Sequence, residues 1–288
     1  MPAMSTQDLF IPGKAGRLSV RIKRPTGTAR QAVVLVQGSN LSGQGIFDFP
    51  YRGEGATYSV MDALVARGFA AVTFSIRGYG QSEEPADPFS VRTEQAMEDL
   101  DTVVDWTITQ GFARPHVLSF SWGGRIAGRY AETHGAKIDR LVLYDPARGG
   151  GQLVLPCPTP DQGWWTNLPK HYRDKLLPQF TEPGLLDALD NYVLKVEPRS
   201  PNGIRWENAH PVTAVVPDRI TRPTLMVYGV EAAKANYMQG GLDRAAFFEQ
   251  LATDDKAFVI LPGGDDFIHL QAGRERFHAC VADFLDGR

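Results

Sequence analysis

The chain has 288 residues, of which 43% are hydrophobic and 22% charged, with a net charge of −3; this excludes a disordered chain and leaves no basic footprint for nucleic acid or an anionic membrane. No apolar run approaches the roughly 20 residues of a membrane span, and the N-terminus lacks a basic-then-apolar leader, so a cytoplasmic protein is expected. Cys157 and Cys280 supply neither a disulfide framework nor, on their own, a zinc site, and neither cofactor nor metal is expected.

In chain order, Asp8 to Pro12 and Arg17 to Ile22 predict an antiparallel edge hairpin. Continuous apolar runs follow at Ala32 to Val36, Ala70 to Ile76, Val117 to Phe120, Leu141 to Tyr144, Thr224 to Tyr228 and Phe258 to Leu261. Continuous rather than alternating hydrophobicity marks strands covered on both faces, as in a parallel sheet. Helical patterns lie between them at Thr57 to Arg67, Thr93 to Thr109, Arg125 to Thr133 and Gln271 to Leu285. The alternation predicts a doubly wound, mostly parallel α/β sheet with its ligand site at the carboxyl ends of the strands. From Arg148 to Asp218 the rhythm breaks into prolines, the Trp164-Trp165 pair and a helical piece at Leu185 to Leu194. Long structureless loops are rare inside compact domains, so an inserted helical lid is expected. The division is a core in two parts, 1–147 and 219–288, with a cap at 148–218. The run Gly149-Gly150-Gly151 lacks the strand-then-helix setting of a dinucleotide fingerprint and reads as a flexible entrance to that lid.

The richest segment is His116-Val117-Leu118-Ser119-Phe120-Ser121-Trp122-Gly123-Gly124-Arg125. A buried strand runs into a small-x-Ser-x-Gly turn and then a helix. Such a turn strains the serine backbone and lifts its hydroxyl above the sheet edge, while the helix N-terminus offers amide donors to a developing oxyanion. Ser121 is therefore the candidate nucleophile.

At these residues the sequence resembles the α/β-hydrolase superfamily over nearly its whole length. Gln37-Gly38-Ser39-Asn40 is similar to the family's His-Gly-x-x loop, and Arg77-Gly78-Tyr79-Gly80-Gln81-Ser82 to its Arg-Gly-x-Gly-x-Ser loop. Arg199 to Gly203, with its Pro-Asn-Gly, falls in the family's cap region. The resemblance implies an oxyanion hole from the backbone N–H groups of Ser39 and Trp122. Because serine stands at the nucleophile position, it argues against the aspartate-based dehalogenase and epoxide-hydrolase chemistries.

Serine needs an adjacent base, normally a histidine held by a carboxylate. His116 starts a strand at the far side of the sheet, His134 closes a helix, His278 lies within the last one, and His171 and His210 fall in the presumed lid. His269 follows the last strand, where the family carries its base. The family pattern Gly-x-x-His-Phe reads Gly263-Gly264-Asp265-Asp266-Phe267 here, however, so Asp266 stands in the usual histidine slot. A helical offset of three residues moves a side chain about 4.5 Å along the axis. Either the loop brings His269 in, or the base has been replaced. For the acid, Glu231 lies one residue before the family's Gly-x-x-Asp position, occupied by Ala232, and Asp145 sits at the alternative location after the strand before the lid; Asp145-Pro146 is also an ordinary turn opening.

Two functions follow. The first is a serine hydrolase cleaving an ester, lactone or thioester of a small to medium, largely apolar substrate, with Trp122, Trp164, Trp165, Phe47 and Phe49 available to wall the pocket. The second is a hydrolase-fold protein with a degenerate triad that binds a small molecule or catalyses a cyclisation or isomerisation. In either case the expected partner is a small molecule, with no nucleic acid or membrane, and a homodimer is compatible with the sequence.

Overall fold

The computed structural model describes residues 4–52, 58–151, 156–234 and 242–288. Its ten strands are β1 (Met4–Gly13), β2 (Gly16–Pro25), β3 (Ala32–Val36), β4 (Ala70–Phe74), β5 (His116–Phe120), β6 (Leu141–Tyr144), β7 (Trp164–Thr166), β8 (Arg199–Pro201), β9 (Thr224–Gly229) and β10 (Lys256–Leu261), counted among the described residues. Eight of them form one sheet in the order β1-β2-β4-β3-β5-β6-β9-β10. The expected edge hairpin is longer than its apolar pattern suggested, with Met4 opposite Pro25 and Gly13 opposite Gly16. β2 runs antiparallel to β4, and every pair from β4 onward is parallel.

The predicted runs fall where two-sided burial puts them. β3, β4, β5, β6 and β9 are buried at every residue, whereas β10 lies at the sheet edge and is half-buried. Alternate residues of one strand feed opposite faces: Val34 and Val36 pack with Leu100, Val103 and Tyr130, while Val33 and Leu35 pack with Leu64 and Phe277.

The helices are α1 (Gly43–Phe47), α2 (Val60–Ala66), α3 (Thr93–Thr109), α4 (Trp122–His134), α5 (Lys170–Arg173), α6 (Leu185–Val196), α7 (Gly203–Asn208), α8 (Arg244–Glu249) and α9 (Arg274–Leu285). The helix expected from Thr57 starts only at Val60, capped by the Ser59 hydroxyl, which accepts the Asp62 N–H at 3.0 Å; Thr57 itself lies outside the described residues. α4 begins three residues before Arg125, directly after Ser121. None of the described helices is long and apolar enough to cross a membrane.

Between β6 and β9, residues 148–218 hold α5, α6 and α7 together with a small antiparallel pair, β7 and β8, in which Trp164 faces Pro201. Three-residue strands carry too little periodicity to be read from sequence. The Gly149-Gly150-Gly151 run is not the flexible entrance expected. Gly150 N–H donates to the Val212 carbonyl at 2.9 Å, Val212 N–H to Gly151 at 3.0 Å, and Val215 N–H to Arg148 at 2.7 Å. The glycines are needed for positive φ and close backbone approach: Gly149 has φ +70°, and a Cβ there would lie 2.3 Å from the Thr213 carbonyl oxygen.

The strand order reverses between β3 and β5, which opens a crevice at their carboxyl ends. The Arg77 loop after β4 is fastened beside it. Arg77 Nε and Nη2 donate to the Asp99 carboxylate at 3.0 and 2.6 Å, and Arg77 N–H donates to the same group at 3.0 Å. Both side chains are buried. Removing one partner would leave an uncompensated buried charge, so Asp99→Ala is expected to lose about 3–5 kcal/mol of stability. A urea titration checks this; a midpoint equal to that of the wild type would contradict it.

Candidate active site

Ser121 leaves β5 and enters α4 with φ 53° and ψ −116°. This left-handed conformation is costly for a residue with a side chain and persists only where surrounding bonds over-determine it. Here Ser121 N–H donates to the Tyr144 carbonyl at 3.1 Å, and the Ser121 carbonyl accepts the N–H groups of Gly124 and Ala147, both at 2.8 Å. Close approach explains the small neighbours. A Cβ at Gly123 would lie 2.4 Å from the Val36 carbonyl oxygen, and one at Gly124 would lie 2.3 Å from Pro146 Cβ. Ser119, where the family's usual residue is glycine, turns its hydroxyl to the Val142 carbonyl at 3.0 Å and so adds no unsatisfied group.

The loop after β3 is positioned from two sides. Gln37 is buried, and its side-chain oxygen accepts the N–H groups of Gly43 at 3.1 Å and Ile76 at 3.0 Å. The Tyr79 hydroxyl donates to the Ser39 carbonyl at 2.8 Å. Glutamine in the histidine position thus ties β3, α1 and the Arg77 loop together. Gly38 lies against the nucleophile, since a Cβ there would stand 3.4 Å from Ser121 Cβ. Among the described residues, the backbone N–H groups of Ser39 and Trp122 make no hydrogen bond, which leaves both available to a ligand.

Ser121 opens into a cavity of about 140 Å³ shared by Gly38, Ser39, Asn40, Phe120, Asp266 and Phe267 from the sheet side and by His171, Tyr172 and Lys175 from the 148–218 segment. The aromatics expected to wall it are elsewhere. Phe47 and Phe49 are in the core, Trp122 donates its Nε1–H to the Thr93 hydroxyl at 3.1 Å, Trp164 stacks under Arg199, and Trp165 lies behind His171. Phe120, Phe267, Leu41, Ile46 and Tyr172 supply the apolar wall instead.

His269 was expected as the base, and the structure corrects this. Its ring is fully buried among Phe120, Phe267, Tyr144 and Phe277 and is not part of the cavity wall. Both nitrogens are engaged: Nε2–H donates to the Ile46 carbonyl at 2.9 Å, and Nδ1 lies 2.9 Å from the Tyr144 hydroxyl, which also meets the Asp266 carbonyl oxygen. The Nε2 proton follows from its partner, because a carbonyl can only accept. Burial pulls the imidazole down to about 3, with His278 adding to the effect. His278 and His116 are likewise pulled down to about 4 by burial. These rings are neutral when folded but protonate below about 6.5 in the unfolded chain. The unfolded state then binds more protons, so stability falls as pH drops from about 6.5 towards 4. Urea midpoints at pH 7 and pH 5 are expected to show that loss, reduced in His269→Gln; equal midpoints would contradict it.

Neither candidate acid orients His269. Glu231 pairs with Lys234 at 2.7 Å on the surface. Asp145 has φ 40°, and its N–H donates to the Val227 carbonyl at 2.9 Å. Burial raises its carboxyl, opposed by the charges of Lys175, Arg244 and Arg148. The expected triad of Ser121, His269 and an acid is therefore not assembled.

Asp266 is the residue that shares the cavity with Ser121. The side chain is buried, lines the cavity with Ser121, and pairs through Oδ2 with the Lys175 ammonium. Oδ1 has no hydrogen-bond partner, so one acceptor in the cavity is left for a hydroxyl. Burial lowers the Lys175 ammonium, while the carboxylates of Asp145 and Asp265 oppose that effect. Lys175, His171 and Tyr172 were not singled out from the sequence. Lys175 follows a single-turn helix in a proline-rich segment, and no motif or periodicity marks it. His171 was assigned only to the lid. Behind them Arg205 is buried against the face of Trp165, with the guanidinium 4.4 Å from the ring centre, and donates to Ser200, to the Pro201 carbonyl and to Asn40 Oδ1. Burial brings it down to about 10.

Sheet order, a strained serine between strand and helix, and two unbonded amides beside it are the features of an α/β hydrolase. The model of the alpha/beta hydrolase family matches residues 33–279. The chain belongs to that family. A curated relative, the 2-hydroxy-6-oxononadienedioate/2-hydroxy-6-oxononatrienedioate hydrolase of Burkholderia vietnamiensis, is 28% identical over 134 residues, which are 46% of this chain and 42% of that protein. The AB hydrolase superfamily protein YisY of Bacillus subtilis is 35% identical over 88 residues, 30% of this chain and 31% of that protein. The chain thus aligns with less than half the length of these relatives. Among solved structures, an esterase from Exiguobacterium antarcticum has a TM-score of 0.71 at 18% identity, covering 97% of this chain and 100% of its own. The enol-lactonase of Burkholderia xenovorans LB400 has 0.64 at 18% identity, covering 96% and 100%. At these identities the likeness shows the fold.

Proposed function

We propose that the chain is a serine hydrolase for a small ester, lactone or thioester, in which the proton of Ser121 passes to Asp266 rather than to a histidine. Ser121 Oγ bonds to the substrate carbonyl carbon as its proton moves to Asp266 Oδ1, and the carbonyl electron pair becomes an oxyanion facing the Ser39 and Trp122 amides. Collapse of that intermediate breaks the bond to the leaving group, which takes the proton back from Asp266. Water then attacks the acyl-enzyme, again losing a proton to Asp266; collapse of this second intermediate breaks the bond between the acyl carbon and Ser121 Oγ, which takes that proton back as the carboxylic acid leaves. Residues 148–218 act as the lid, since they supply His171, Tyr172 and Lys175 to the cavity.

The observation that carries this reading is the shared cavity, in which Ser121 in its strained turn and the unpartnered Oδ1 of Asp266 line one space while both nitrogens of His269 are engaged elsewhere. Curated relatives and several structural neighbours are hydrolases by name, which supports a hydrolytic reading. One observation favours the second reading, a binder or non-hydrolytic catalyst: the Lys175 ammonium on Asp266 stabilises the carboxylate and weakens it as a base. A fluorophosphonate separates the two. Intact-mass analysis is expected to show one adduct, mapped to Ser121; no adduct after prolonged exposure would support the second reading.

A further inference from the structure

We propose that His171 and Tyr172 form a hydrogen-bonding clamp that recognises a second, acceptor oxygen on the substrate, away from the carbonyl attacked by Ser121. The clamp rests on the reading of Ser121 as the reacting group, because it lies across the same cavity.

Two neighbouring side chains of the 148–218 segment line the cavity, and each has donor capacity that the fold leaves over. Tyr172 is 1% exposed, and its hydroxyl has no hydrogen-bond partner. A buried hydroxyl without a partner is unfavourable unless something else satisfies it. Phe267 packs against the ring, 6.3 Å away between ring centres, and the charges of Glu197 and Arg205 also act on the phenol, but no group of the described residues hydrogen-bonds its hydroxyl. His171 accepts the Leu168 N–H at Nδ1, 3.1 Å away. That bond leaves the ring proton on Nε2, which is then a donor. The ring is held in plane by Trp165, 4.9 Å away and itself covered by the Arg205 guanidinium.

Both groups stay neutral near pH 7. Burial and the charges of Lys170 and Arg205 lower the imidazole, and burial raises the phenol. A neutral imidazole N–H and a phenol O–H on two side chains that line one small cavity select an oxygen acceptor over an alkyl group. The same acceptor chemistry belongs to a carboxylate and to an ether or carbonyl oxygen. The other charged groups of the cavity wall, Lys175 and Asp266, are already paired with each other.

The test measures binding to Ser121→Ala protein by calorimetry, so that reaction is absent, using pentanoate, 3-methoxypropanoate and monomethyl glutarate as their p-nitroanilides or free acids matched in length. Recognition of the added oxygen is expected to favour the oxygenated compounds by about tenfold over pentanoate. Adding Tyr172→Phe, or His171→Asn, which keeps an acceptor for the Leu168 N–H, is expected to erase that preference. Free glutarate preferred over its monomethyl ester assigns a carboxylate to the clamp; equal preference assigns a neutral oxygen. Pentanoate binding as well as the others, or a preference that survives both substitutions, overturns the clamp. Ester turnover that persists in Ser121→Ala would overturn the hydrolase reading instead and leave the binding preference untouched.

Discussion

Replacing Ser121 by alanine is expected to abolish capture of a fluorophosphonate and to lower p-nitrophenyl ester turnover by at least about 10³-fold, the scale on which removal of an activated nucleophile acts. Its geometry gives the reason. The left-handed backbone at Ser121 is strained and serves no packing purpose that a glycine would not serve at lower cost. Gly123 and Gly124 permit the turn only because they lack side chains that would strike Val36 and Pro146. The backbone bonds around residue 121 do not involve its hydroxyl, so the alanine variant keeps the fold and loses the reaction. Residual turnover at the wild-type rate would place the chemistry on another group.

Asp266 carries the second large effect. Asp266→Asn keeps the shape but replaces the basic carboxylate by an amide that cannot take up a proton, and loss of a general base costs about 10²–10⁴-fold. A fall of about 10²-fold in kcat/KM is expected. Asp266→His should act in the opposite direction. It puts an imidazole into the slot the family uses, and an imidazole is a better proton acceptor at pH 7 than a carboxylate held by an ammonium. Turnover is expected to rise about tenfold or more and to acquire an acid limb below about pH 6.5, because burial and the Lys175 ammonium both hold the imidazole under its ordinary value. A pH–rate profile checks both variants. An asparagine variant as active as the wild type, or a histidine variant with no acid limb, would contradict the assignment.

The sheet was legible because its strands are buried on both faces. Ala32 to Val36 and Thr224 to Tyr228 need no context to be read, and the turn at Ser121 announces itself by a buried strand meeting small residues. The short β7 and β8 were not legible, because pairing between distant three-residue segments leaves no local pattern. The same limit hid the cavity's far wall. His171, Tyr172 and Lys175 come from a segment whose position over β5 is set by tertiary packing. His269 shows the reverse error. Its place in the chain after β10 is that of a base, but a displacement of one helical turn put its ring into the core, where Tyr144 and the Ile46 carbonyl use both nitrogens. The Gly263-to-Phe267 register, with Asp266 in the usual histidine slot, was the one sign of that displacement in the sequence.

The most direct measurement is the second-order rate constant for fluorophosphonate labelling of Ser121 at pH 7 in His269→Gln and in Asp266→Asn. Glutamine can donate to the Ile46 carbonyl as the Nε2–H does, so the buried slot keeps a polar occupant. With Asp266 as the proton acceptor, His269→Gln stays within about threefold of the wild type while Asp266→Asn falls by about 10²-fold. Loss of labelling in His269→Gln, with Asp266→Asn unaffected, would contradict it.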